Sequence, residues 1–196
     1  MRRTRYLLAA LMVGAASTAS AQAHARISAT LSRQGTAIPS LVVHVSNLFD
    51  DPRWLGALNS AYVIHLHWSV QLWQSQFLFD KGRSPSEWDD FIQQVPVMDV
   101  FRYTERIAGR RDSTIEFATL DSLKAYAGAD VRLAPPVLAA GKWYYTVNLS
   151  ISIASEDESR SGTAGDPDRG FFQQLILGRG PRDDLPTATT VTFVVP

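Results

Sequence analysis

Two stretches of strict apolar–polar alternation constrain this chain more than any other feature. In Tyr62–Gln74, the residues Tyr62, Ile64, Leu66, Trp68, Val70 and Leu72 share one phase, and His65, His67, Ser69 and Gln71 share the other. Trp143–Ala154 repeats the pattern, with Trp143, Tyr145, Val147, Leu149, Ile151 and Ile153 against Tyr144, Thr146, Asn148, Ser150 and Ser152. A period of two sends successive side chains to opposite faces of a strand, so each run reads as an antiparallel strand with one buried face. Both are about twice the mean strand length of roughly 5–6 residues, which suits a sandwich.

Shorter alternating runs lie at Arg26–Ser32 and Leu41–Ser46, with weaker ones at Val97–Ile107, Ser113–Phe117, Phe171–Leu177 and Thr187–Val195. In the last, Val191, Phe193 and Val195 are in phase. Helix signals are few. Asp50 or Asp51 followed by Pro52 predicts a start for Arg53–Asn59, and Thr119 caps Leu120–Ala127, which Gly128 ends. A third short helix is expected at Ser86–Gln94, with Trp88, Phe91 and Ile92 as its apolar side. The fold expected is mainly β: one antiparallel β-sandwich of immunoglobulin-like size with two or three short helices, a closed β-barrel being the alternative. Ser155–Gly170 holds a single apolar residue, Ala164, and is expected to be a mobile loop.

The N-terminus has the order of a secretory signal: Arg2, Arg3 and Arg5, then the apolar run Leu7–Ala16, then small residues offering A-x-A sites up to Ala25. The apolar run is shorter than the about 20 residues that cross a bilayer. Cleavage after Ala21 is expected, leaving 22–196 as a single soluble domain in the periplasm. With the three arginines gone, the formal net charge moves from +0 to −3. A basic excess for nucleic-acid binding is absent, and with no cysteine the chain has neither disulfides nor thiolate chemistry.

The run LFDDPRWLGALNSAYVIHLHWSVQLW, then FRYTERI, FATLDSLKAYAG and GKWYYTVNLSIS, resembles the exported bacterial proteins grouped as domain of unknown function 4390. The resemblance spans about Ile38 to Ile153. It implies an exported, β-rich, envelope-associated domain, and it transfers no catalytic residue. Ala61 stands at a turn where a glycine is expected.

The motif His65-Leu66-His67-Trp68 places two imidazoles on one strand face, and it is similar to the zinc-binding strand of the α-type carbonic anhydrases. That family takes its third histidine from further down the chain, and here none follows His67. His44, on the polar phase with Val42 and Ser46, would approach His65 and His67 if its strand paired with theirs. The expectation is that the two histidines face water and hold no metal. Glu87, Asp89 and Asp90 on the candidate helix, and Asp99 and Glu105 beyond it, are expected to be solvated charges. The acids Glu156, Asp157, Glu158, Asp166 and Asp168 lack the ligand spacing of a calcium loop. Serine-hydrolase elbow, phosphate loop and dinucleotide turn are all missing from the sequence. Trp54, Trp68, Trp88, Trp143 and Tyr145 read as core, while Trp73 follows the polar face.

The sequence therefore reads as an exported, envelope-associated, non-catalytic protein-interaction module, its contact surface a sheet edge or the Trp73 side of the long strand. The partner expected is an envelope protein or ligand. A carrier of a small apolar or lipid-like ligand, and a metal-dependent enzyme using His44, His65 and His67, are the alternatives. No cofactor is assigned.

Overall fold

The computed structural model describes residues 24–33, 38–154 and 182–196. The expected signal peptide, the stretch Ser155–Gly170 and the strand expected at Phe171–Leu177 lie outside the described residues. In chain order the elements are β1 (Arg26–Ser32), β2 (Ser40–Ser46), α1 (Pro52–Asn59), β3 (Val63–Ser75), β4 (Lys81–Gly82), β5 (Ser86–Val95), β6 (Val100–Ile107), β7 (Ser113–Phe117), α2 (Leu120–Ala127), β8 (Val131–Leu133), β9 (Gly141–Ala154), β10 (Arg182–Asp184), β11 (Ala188–Thr189) and β12 (Phe193–Val195).

They form two open antiparallel sheets. The small one has the order β1-β2-β8, and the large one β10-β9-β3-β5-β6-β7, with β4 on β3 and β11 and β12 on β9. The fold is thus mainly β and sandwich-like, and the described residues form no closed barrel. The two long alternating runs are the centre of the large sheet: β3 pairs with β9 along its whole length, from Val63↔Ala154 to Ser75↔Lys142. Leu41, Val43 and Val45 of β2 meet Ile64, Leu66, Val70, Val147, Leu149 and Ile151 in one core, against which Ile27, Ala29 and Leu31 of β1 pack. That core also takes Trp54, Ala57 and Leu58 of α1 and Leu123 of α2. No helix among the described residues is long and apolar enough to cross a membrane.

Both helices begin where their caps predict. Asp51 accepts from the Arg53 backbone N–H at 3.0 Å with Pro52 in the first turn, and Thr119 accepts from Ser122 at 3.2 Å. Arg53 also clamps the Asp51 carboxylate and reaches Asp183 on β10 at 2.8 Å, tying α1 to the sheet edge.

Three expectations are corrected. Ser86–Gln94 is not a helix; it is strand β5, held between β3 and β6. Trp88, Phe91 and Ile92 have helical spacing, but Phe91 faces away from the other two, and the inward phase is Trp88, Asp90 and Ile92. Tyr62 is exposed because it belongs to the turn after α1 and not to β3. The run Thr187–Val195 is broken: β11 pairs as Ala188↔Val147 but β12 as Phe193↔Trp143, a shift of one residue. Such a bulge inverts the phase, and Val191 is left 76% exposed while Phe193 is buried.

Candidate metal centre

The pleat of β3 sends Leu66 and Trp68 into the core and His65 and His67 to the outer face of the large sheet. The β3–β5 register then sets Asp89 directly opposite His67 and Phe91 directly opposite His65. Asp89 therefore lies across from one imidazole and diagonal to the other, within side-chain reach of both. Its Oδ1 accepts from His65 Nε2 at 2.7 Å and from His67 Nδ1 at 2.8 Å.

Packing fixes this cluster. The His65 ring stacks on Phe91 at 4.7 Å between centroids and 5° between planes. The Arg106 guanidinium from β6 lies over the Phe91 ring at 4.8 Å, and its Nε reaches Asp112 at 3.2 Å. Phe91 itself is buried with Val63 and Ala154. All three polar side chains are partly open to solvent.

The charges follow from the geometry. Burial works to raise the Asp89 carboxyl, but the hydrogen bonds from both imidazoles outweigh it and hold the group well below the usual carboxylate range. His67 is raised above its ordinary value by the Asp89 hydrogen bond, against the opposing effect of burial.

Two imidazole nitrogens and a carboxylate oxygen, all within 4.8 Å of one another, form the one such group among the described residues. In a tetrahedral zinc site with Zn–N of about 2.0–2.1 Å, ligand atoms sit about 3.3 Å apart. The two contacts to Asp89 would have to open by about half an ångström, and the two imidazole nitrogens, within 4.8 Å of each other, would have to settle at the same spacing. Three protein ligands would leave the fourth position of a tetrahedral ion for water or another group. An N₂O donor set suits zinc and its late first-row neighbours better than calcium or magnesium.

The structure does not bring His44 to this site. His44 lies on β2 in the small sheet, where it pairs with Asp130 at 3.4 Å. Asp89 takes its place. The expectation of solvated carboxylates fails for β5: Asp89 is bound by two histidines, and Asp90 is 2% exposed on the inner face. There Asp90 Oδ2 accepts from Trp68 Nε1 at 2.8 Å. Glu105 lies opposite Asp90 on β6, and Asp99 sits in the β5–β6 turn, so neither joins the histidines. Glu156, Asp157, Glu158, Asp166 and Asp168 lie outside the described residues. Trp54, Trp68, Trp88, Trp143 and Tyr145 are core residues as expected. Trp73 is half-buried on the outer face, its Nε1 donating to Thr146 at 2.9 Å.

Neither a protein-family model, nor a curated protein, nor a solved structure matches this chain.

Proposed function

We propose that this is an exported metal-binding protein that holds one late first-row divalent ion, of which zinc is the model, at His65, His67 and Asp89. The observation that carries the reading is the convergence of both imidazole nitrogens on a single oxygen of Asp89, at 2.7 and 2.8 Å, on two neighbouring strands of a rigid sheet. Export is supported by the basic–apolar–small order of residues 1–25. The envelope setting is supported by the resemblance over Ile38 to Ile153.

The test is zinc titration of purified protein by calorimetry, followed by metal analysis after dialysis. One ion per chain is expected. His65→Ala, His67→Ala and Asp89→Asn should each weaken binding at least about tenfold, while His44→Ala leaves it unchanged. Binding should tighten as pH rises from 5 to 8, because the ion competes with protons on the imidazoles. Absence of stoichiometric binding, or its persistence in the His65→Ala/His67→Ala double variant, overturns the proposal. Export is tested by intact mass after expression in a bacterial host: loss of the first 21–25 residues is expected, and a full-length cytoplasmic product refutes it.

A further inference from the structure

The β3–β4 hairpin carries the most exposed apolar group among the described residues. Phe77, Leu78 and Phe79 are consecutive, and they are 100%, 75% and 83% exposed. They lie between Gln76 and Asp80, whose carboxylate accepts from the Gln76 backbone N–H at 3.2 Å and closes the turn. A turn of this kind needs no apolar side chain, and three in a row are costly to leave in water.

Behind the tip the register sets Lys142 opposite Ser75 and Lys81 opposite Gln74, and one step further back it sets Trp73 opposite Gly82 and Tyr144. Trp73 stacks on Tyr144 at 6.4 Å, and each ring's polar end is occupied: Trp73 by Thr146, and the Tyr144 hydroxyl by Asp80 at 2.7 Å. Lys81, Arg83 and Lys142 at this end of the sheet are all exposed. The Arg83 guanidinium lies over the Trp143 ring and donates to the Val137 carbonyl at 3.1 Å. That contact brings a fourth exposed apolar residue, Val137, to the same end of the sheet. Asp80 is the acid beside the tip, and Tyr144 engages it.

We propose that this tip docks the protein on an anionic lipid bilayer: Phe77, Leu78 and Phe79 enter the headgroup–acyl boundary, Trp73 and Tyr144 sit at headgroup level, and Lys81, Arg83 and Lys142 meet lipid phosphates. The three side chains stand almost wholly clear of the rest of the chain, so a fluid bilayer can receive them where a folded partner would need a matching pocket. An apolar tip backed by lysines on long flexible stems and by aromatic rings with a polar end is the set of side chains that a membrane interface accommodates. The cationic flank complements an anionic surface. The opposite end of the sheet provides an internal contrast: Val97 and Met98 are exposed in the β5–β6 turn but are followed there by Asp99 and carry no flanking lysine or arginine within the turn.

The test uses the protein as its bacterial host exports it and vesicles of phosphatidylglycerol with phosphatidylethanolamine, against phosphatidylcholine vesicles. Phe77→Ser/Leu78→Ser/Phe79→Ser should lower the vesicle-bound fraction at least tenfold with an unchanged circular dichroism spectrum and melting temperature. Lys81→Gln/Lys142→Gln should erase the preference for anionic vesicles. The chain has no cysteine, so Leu78→Cys and Val97→Cys each carry a single environment-sensitive dye. The dye at position 78 should shift to the blue on anionic vesicles and be quenched by brominated acyl chains, and the dye at 97 should not respond. Equal responses at 78 and 97, or retained binding in the triple serine variant, overturn the proposal. So does a response at 78 that depends on protein concentration without lipid, which would mark a contact between copies of this chain.

Discussion

Replacing Asp90 with Asn should make the protein more stable at pH 8 and leave it nearly unchanged at pH 4. Asp90 sits on the inner face of β5, 2% exposed, with Trp68 Nε1 as donor to one oxygen. Its other oxygen has no hydrogen-bond partner among the described residues. Burial lifts this carboxyl from 3.8 to about 7; Tyr103 and Trp68 pull it back, and the nearby acids Glu105 and Asp89 push it further up. The folded value lies above the unfolded one, so the folded state binds the extra proton. Stability is therefore greatest below about pH 4, falls as pH rises, and is lowest once the pH has passed about 7. At about 1.4 kcal/mol per pH unit, the interval from 3.8 to about 7 corresponds to about 4 kcal/mol lost by the ionised form. Asparagine keeps an acceptor for Trp68 and cannot ionise. Urea unfolding of both proteins at pH 4, 6 and 8 checks this, since the titrating groups remote from Asp90 are common to the two and cancel. The stability gap should widen by several kcal/mol from pH 4 to pH 8 in favour of Asp90→Asn. A gap that stays constant across that range would refute the claim that Asp90 is held protonated by its burial.

Ala61→Gly should stabilise the fold by up to about 1 kcal/mol in thermal denaturation, because Ala61 has φ +59°, a left-handed conformation in which glycine is unstrained. Asp51→Ala should cost about 1–2 kcal/mol through the lost N-cap of α1. The Arg53 hydrogen bonds hold Asp51 at about 2, down from 3.8, so its contribution is present above pH 3.8 and is lost as pH falls through 2; acid unfolding of the variant should show that the gap closes there. Asp89→Asn should lower the titration midpoint of His67, followed by NMR, toward the 6.5 of a free imidazole. The stabilisation held by His67 is present below 6.5 and is lost as pH rises through its raised folded value.

The parts of this fold that the sequence made legible are those fixed by local signals. The alternation of β3 and β9 survives because each runs through the centre of the sheet, and both helices start at the cap residues that predict them. β5 was illegible for a specific reason. A buried carboxylate, Asp90, breaks its apolar phase, and outward-facing Phe91 completes an i, i+3, i+4 set with Trp88 and Ile92 that imitates a helix. The candidate site was half legible on the same grounds. His65 and His67 share a face by spacing alone, but Asp89 becomes their partner only through the β3–β5 register. His44 was a candidate under the assumption that β2 pairs with β3. The chain instead passes through α1 between them and changes sheets, so the pairing that would have delivered His44 does not form.

Asp89 and Asp90 are adjacent, identical in chemistry, and moved in opposite directions. The pleat alone separates them. Asp89 faces two imidazoles at the outer surface and is held ionised, whereas Asp90 faces Trp68 and the core and is held protonated over most of the acid range. Their charges are coupled only weakly, since Asp89 acts on Asp90 less than burial, Tyr103, Trp68 or Glu105 does. The two should therefore dissociate cleanly. Asp90→Asn should leave zinc binding unchanged while removing the stability loss between pH 4 and 8, and Asp89→Asn should weaken zinc binding at least about tenfold while leaving most of that loss in place. If Asp90→Asn weakened zinc binding as much as Asp89→Asn does, the two faces of β5 would not be independent, and the metal centre could not be treated as a feature of the outer face alone.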